Sequence, residues 1–210
     1  MKAKILSLNI GGPAPMEWEG KSVLSSMKKE SVTGPLVVHE DRIEGNSFAN
    51  PNYHGTPDSV LYAFGMDSAE IFMKVLGGGE YKAGATGETL TLDQLDETRV
   101  SVGDIFQFGE VLAQATYPRI PCGKVNFRMQ NAHGQQAMKD CGRSGVYFKI
   151  LRPGKIHLGD AVMRTEEAKH RVSIFDLYEK IVKNEKFSGA LAEAARANGC
   201  IPERILAKVT

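Results

Sequence analysis

The sequence predicts a mainly β protein: a barrel-like β core with a few helices, followed by a small C-terminal three-helix bundle. Three observations carry this. Short β-type runs, punctuated by Gly, Pro, Asn and Asp, fill the first three quarters of the chain. Tight Gly-containing turns separate several of them. After about Thr165 the apolar period changes from two to that of a helix.

In chain order, strands are expected at 4–10, 36–39, 59–64, 99–102, 105–108, 111–117, 146–151 and 155–158. Gly109-Glu110 suits a two-residue hairpin turn between the fifth and sixth. The segments 100–106 and 155–162 echo each other, each a strand, a Gly-Asp turn and another strand. His157, between Ile156 and Leu158, is expected on a strand face. Many short strands joined by tight turns argue for a barrel-like sheet. One helix interrupts it: Ser68 is the expected cap, 69–76 the body, and Gly77-Gly78-Gly79 the exit. In the tail, Ser173 caps a helix with Ile174, Leu177, Tyr178, Ile181 and Val182 on one face. Ser188 caps a second over 189–198, stopped by Gly199. Pro202 opens a third, with Ile201, Ile205, Leu206 and Val209 on one side. The expected division is a β-barrel domain at 1–165 and a three-helix extension at 166–210.

Composition narrows the function. With 42% hydrophobic and 24% charged residues the chain is an ordinary globular sequence. A net charge of +1 gives no global field to recruit nucleic acid or an anionic membrane. No apolar run reaches membrane-spanning length. Basic residues in the tail helices are scattered, which favours packing or homodimer formation over DNA binding. Three cysteines, at 122, 141 and 200, form no CxxC pair and fit a reducing cytoplasm. There is no P-loop, no Gly-x-Ser-x-Gly elbow, no Rossmann fingerprint and no iron–sulfur cysteine pattern. No histidine pairs with another His or Cys at metal-ligand spacing.

Four polar constellations remain. Cys122 stands in the run from Tyr117 to Lys124, close in sequence to Arg119 and Lys124, with Arg128 beyond. Cations favour a thiolate, which can attack an electrophile, bind a soft metal or lie beside a bound phosphate. His54 and Asp58 share a Gly/Pro-shaped loop, where they can orient a ligand, move a proton or satisfy backbone groups. Gly84, Gly87, Glu88 and Thr89 form a glycine-rich segment that reads as a backbone anion nest or an ordinary turn. Arg143 lies in the turn Gly142-Arg143-Ser144-Gly145 before a strand.

Taken together and in order, these segments resemble the MOSC domain family, the molybdenum-cofactor-binding module related to the sulfurase C-terminal domain. The chain is most similar to its stand-alone bacterial type with a helical C-terminal extension. The matching segments are His54-Gly55-Thr56, 84–91, 118–122, 142–147 and Gly159-Asp160, within residues 3–164. The chain departs from the family pattern at Tyr53, Thr56, Ser59, Thr89 and Gly123. The resemblance implies that Cys122 is the protein ligand to molybdenum. It implies that Arg119, Lys124 and Arg143 meet the cofactor's anionic end, with Gly84, Gly87, Glu88 and Thr89 nearby. His54 and Asp58 would line the open side and deliver a proton. The implied activity is reduction of N-hydroxylated compounds, such as hydroxylaminopurines, to amines, with electrons from a separate reductase. A cofactor carrier or sensing module without turnover is the alternative from another class.

Overall fold

The computed structural model describes residues 2–50 and 55–210. The first half of the chain supplies β1 (Lys2–Ile10), β2 (Ala14–Trp18), β3 (Lys21–Ser25), β4 (Glu30–Val32) and β5 (Leu36–Val38). A 3-10 turn, Pro57–Ser59, precedes β6 (Leu61–Gly65), α1 (Met66–Leu76) and β7 (Leu90–Leu92). Then follow β8 (Ile105–Phe108), β9 (Val111–Pro118), α2 (Lys124–Met129), α3 (Gly134–Asp140), β10 (Val146–Arg152), β11 (Gly154–Ile156) and β12 (Ala161–Glu166). The tail carries α4 (Ile174–Lys183), α5 (Gly189–Asn198) and α6 (Glu203–Val209).

Seven strands close into a barrel in the order β12-β8-β9-β10-β6-β7-β1, and β1 returns to β12. Only the β6–β7 pair in this ring is parallel, because α1 and the following loop carry the chain over between them. Closure leaves no open edge in the ring. The period-two pattern does the work expected of it. Phe106, Phe108 and Phe148 point inward from β8 and β10 and meet edge to face, Phe148 lying 5.7 and 5.1 Å from the other two ring centroids. Gly109-Glu110 makes the predicted hairpin, with Phe108 opposite Val111. The buried faces of α4, α5 and α6, including Leu177, Ala195, Ile205 and Val209, join the barrel's own hydrophobic cluster.

Several expectations are corrected. Residues 99–102 make a turn with one bridge, Ser101 to Ser173, because their backbone bonds go to the segment leading into α4 and to the Asp104 carboxylate. His157 lies in a turn closed by its own N–H on Asp160 Oδ2 (2.7 Å). Gly65, not Ser68, is the N-cap of α1, and Ser68 Oγ donates instead to Glu97. Gly77 ends α1 in the left-handed conformation, as expected (φ 113°). Ser173 caps α4, its Oγ accepting from Asp176 N at 2.9 Å, whereas Ser188 makes no side-chain cap.

Candidate functional site

β9 runs out of the barrel and delivers Arg119 and then Cys122 to one rim. The Cys122 loop is pinned on both sides. Gln135 Nε2 donates to Pro121 O (3.1 Å), and Val125 N donates to Cys122 O (3.0 Å) as α2 begins. Asn126 Oδ1 accepts from Gln135 N (2.7 Å), tying α2 to α3. Cys122 is half-buried and its thiol is free.

Behind Cys122 lies a cavity of about 120 Å³, lined among others by Lys29, Tyr62, Gly87, Thr89, Arg119, Lys124 and Tyr147. Arg119 is 5% exposed, yet its guanidinium reaches only two thioethers: Met138 Sδ at 3.1 Å and Met27 Sδ at 3.4 Å. Thioether sulfur is a weak acceptor. No carboxylate pairs with Arg119 among the described residues. Burial opposes its charge; its pKa is raised by Tyr62, Cys122 and Tyr147 when they are ionised, and the neutral phenols give it no counter-charge at neutral pH. A buried cation without an anionic partner is costly, and an anion entering the cavity would relieve it. Lys29 adds a second buried cation. Its Nζ donates to Thr89 Oγ1 at 2.9 Å. Burial lowers its pKa to about 8, against the opposing pull of Glu88. The phenols of Tyr62 and Tyr147 are pushed up by burial and stay neutral.

Beneath this floor the glycine-rich loop binds an anion, but its own. Glu88 is fully buried. Its Oε1 accepts from Tyr81 OH (2.9 Å), Gly84 N (2.7 Å) and Thr91 Oγ1 (2.9 Å); its Oε2 accepts from Thr86 N (3.1 Å) and Thr86 Oγ1 (2.9 Å). Gly84 and Gly87 take φ values of 80° and 84°, which the loop needs to wrap the carboxylate. Gly87 N is also spent, on Gly84 O (3.0 Å). The expected nest for an external anion is thus corrected: the N–H groups of Gly84 and Gly87 are already used, and Glu88 serves as the internal anion.

The remaining sequence candidates fall in different places. Arg143 does not line the cavity. It sits over Phe175 at 5.4 Å and beside Glu97 Oε2 (3.5 Å) and Asp96 Oδ1 (3.6 Å), tying the barrel to α4. Glu97 is buried, accepts from Ser68 Oγ (2.7 Å) and Gly145 N (3.0 Å), and is pushed up to about 7 by burial. In the same turn, Gly145 leaves no room for a side chain, since a Cβ there would lie 2.4 Å from Ala63 O. Asp58 is half-buried in the 3-10 turn, its carbonyl held by Thr116 Oγ1 at 2.6 Å; its neighbour Ser59 lines the cavity and Asp58 does not. His54 and Tyr53 lie outside the described residues. Lys29 was missed by sequence reasoning, and its only signal is its place in the run Met27-Lys28-Lys29-Glu30.

Among the described residues no three His, Cys, Asp or Glu side chains converge as a metal group. A metal at Cys122 would therefore need further ligands from outside that set. The donor set itself fits an anionic group carrying a soft metal: a thiol at the rim and two buried cations, with Lys124, within. The enclosed space has room for one anionic headgroup, and the rest of a larger ligand would extend toward the opening.

Comparison with known proteins bears on the family and the fold. A family model described as "MOSC domain" matches residues 50–163. The chain is 34% identical over 149 residues to the Escherichia coli (strain K12) protein YiiM, covering 66% of this chain and 62% of that one. It is 25% identical over 181 residues to a protein named "Reductase" from Gibberella moniliformis, covering 84% of this chain but 32% of that longer one. The crystal structure of YiiM from Geobacillus stearothermophilus superposes with a TM-score of 0.76 at 25% identity, over 99% of this chain and 100% of that one.

Proposed function

The chain belongs to the MOSC domain family, and from that premise we propose that it is a molybdenum-cofactor-binding oxidoreductase that reduces N-hydroxylated compounds to amines. One observation carries the reading: a buried guanidinium, Arg119, stands without an anionic partner among the described residues, beside a cavity that opens at a free cysteine. The name of the Gibberella relative lends support to a reductase.

In this reading Cys122 is the protein's thiolate ligand. Arg119, Lys29 and Lys124 hold the anionic end of the cofactor. The chemistry such a group supplies when bound is two-electron oxygen transfer. The balance is R–NH–OH plus two electrons and two protons, giving R–NH2 and water. Lys29 holds a proton on Nζ at neutral pH, fixed by Thr89 Oγ1, and so stays cationic toward the anionic end; the two protons of the balance come from solvent. Tyr62 and Tyr147 remain neutral and wall the cavity from bulk water. The electrons come from a separate reductase.

The experiment is to prepare the protein from a host that makes the cofactor, measure molybdenum and pterin, and assay N-hydroxylaminopurine reduction with an artificial electron donor. Near-stoichiometric molybdenum, lost together with activity in Cys122→Ser, is the expected result. Molybdenum at background, or turnover indifferent to Cys122→Ser, overturns the proposal.

A further inference from the structure

The cation-lined cavity is only one side of Cys122. On its other side an open cleft of about 710 Å³ shares Cys122 and Lys124 and is walled by the β2–β3 hairpin and α2. That volume is in the range of small-molecule sites. The hairpin forms a two-stranded sheet outside the barrel, with Trp18 opposite Lys21 across the turn Glu19-Gly20. Both turn residues have positive φ, 50° and 70°, the tight geometry that fixes how Trp18 is presented. Trp18 meets Phe127 of α2 edge to face, centroids 5.9 Å apart. Both rings are only half-buried. The Trp18 indole N–H has no hydrogen-bond partner among the described residues, so it is free to meet an acceptor that enters the cleft.

We infer that this cleft is the substrate subsite and that Trp18 and Phe127 determine specificity by holding a flat, unsaturated nitrogen-containing ring attached to the N–OH group. The inference rests on the oxidoreductase reading of Cys122. Its logic is positional. The buried cations lie in the enclosed cavity, where a resident anion belongs. The aromatic pair lies in the open cleft, where an exchangeable ligand can enter. A flat ring laid on the pair covers apolar surface and offers acceptor nitrogens to the idle indole N–H. Cys122 stands at the boundary of the two spaces, so a ring held there brings its N–OH toward the reactive centre.

The test uses a pair of substrates and the chain's single tryptophan. In cofactor-loaded protein, Trp18→Ala raises KM for N-hydroxylaminopurine roughly fivefold or more. KM for ring-free hydroxylamine and the molybdenum content stay as they were, and Trp18→Phe restores most of the loss. An equal effect on hydroxylamine, or no effect on either, overturns the inference. So does a loss of molybdenum in Trp18→Ala, which would assign the cleft to the cofactor's own ring. Independently of turnover, adenine quenches Trp18 fluorescence in the wild type and in Cys122→Ser, and Phe127→Ala weakens that quenching. Absence of quenching at millimolar adenine refutes the ring site and leaves the Cys122 reading standing. Quenching in wild-type protein that takes up no molybdenum from a cofactor-making host keeps the ring site and refutes the oxidoreductase reading.

Discussion

Replacing Glu88 with glutamine keeps the side chain's shape and removes only its charge and one acceptor. The structure sets the size of the effect. Two of the five donors around the carboxylate, Gly84 N on Oε1 and Thr86 N on Oε2, are backbone groups that cannot turn away. Whichever position the amide nitrogen takes, it faces one of them. Facing Gly84 N, it leaves that buried N–H unpaired, at about 1–3 kcal/mol; facing Thr86 N, it leaves that group only its longer bond to Tyr81 OH (3.2 Å). The hydrogen bonds that remain lose their charge assistance, and Lys29 loses its attractive partner. The sum is about 3 kcal/mol, or roughly 6–12 °C in Tm for a chain of this size. Glu88→Ala, which strands Gly84 N, leaves Thr86 and Tyr81 only each other and empties the space of the carboxylate, costs more. Thermal and urea unfolding of the two variants against wild type is the assay. A Glu88→Gln loss under about 1 kcal/mol, or a Glu88→Ala variant no worse than Glu88→Gln, would show that the loop is not built around this carboxylate.

Other perturbations have equally definite outcomes. Arg119→Met removes a buried charge that has no anionic partner among the described residues, so the cofactor-free protein keeps or gains stability; added phosphate is expected to raise the Tm of the wild type and not that of Arg119→Met. Lys29 has a folded pKa of about 8 against 10.5 unfolded. The unfolded chain binds the extra proton between those values, so wild-type stability rises with pH through that window, by up to about 3 kcal/mol. Lys29→Met lacks that rise, which urea midpoints at pH 7.5 and 10 would reveal. Phe148→Ala opens the centre of the barrel and costs about 3–5 kcal/mol in denaturant unfolding, with no change in the rim chemistry of Cys122.

The barrel was legible because its inward positions alternate, as in Phe106 and Phe108, and because Gly109-Glu110 admits one kind of turn. That Cys122, Arg119 and Lys124 line one cavity was legible because one loop carries all three. Lys29 was not, since a lysine in a run of charges reads as a solvated face; only the packing of Met27 and Thr89 around the cavity buries it. The glycine-rich segment was read with the right chemistry and the wrong anion, because spacing cannot show that Glu88 folds back into its own loop. The β2–β3 hairpin was missed: Glu19 is an atypical first residue for its turn, and Pro15 breaks the usual strand signal. α2 and α3 are short and lack side-chain caps, which are the marks that sequence reading relies on.

β1 pairs with three strands: β12 along its first residues, then β7, then β4. Lys2 stands opposite Met163. During synthesis β1 must wait for β12, and the ring cannot shut until that partner has left the ribosome. Joining such distant segments carries a loop-closure cost that local contacts do not share, so barrel closure is the expected slow step of folding. Until then the inner face of β1, with Ile5 and Leu8, is uncovered by its final neighbours. The nascent chain therefore passes through a stage in which an apolar strand edge is open to mispairing, and it is there, rather than in the finished barrel, that a chaperone or a slower translation rate would have its effect.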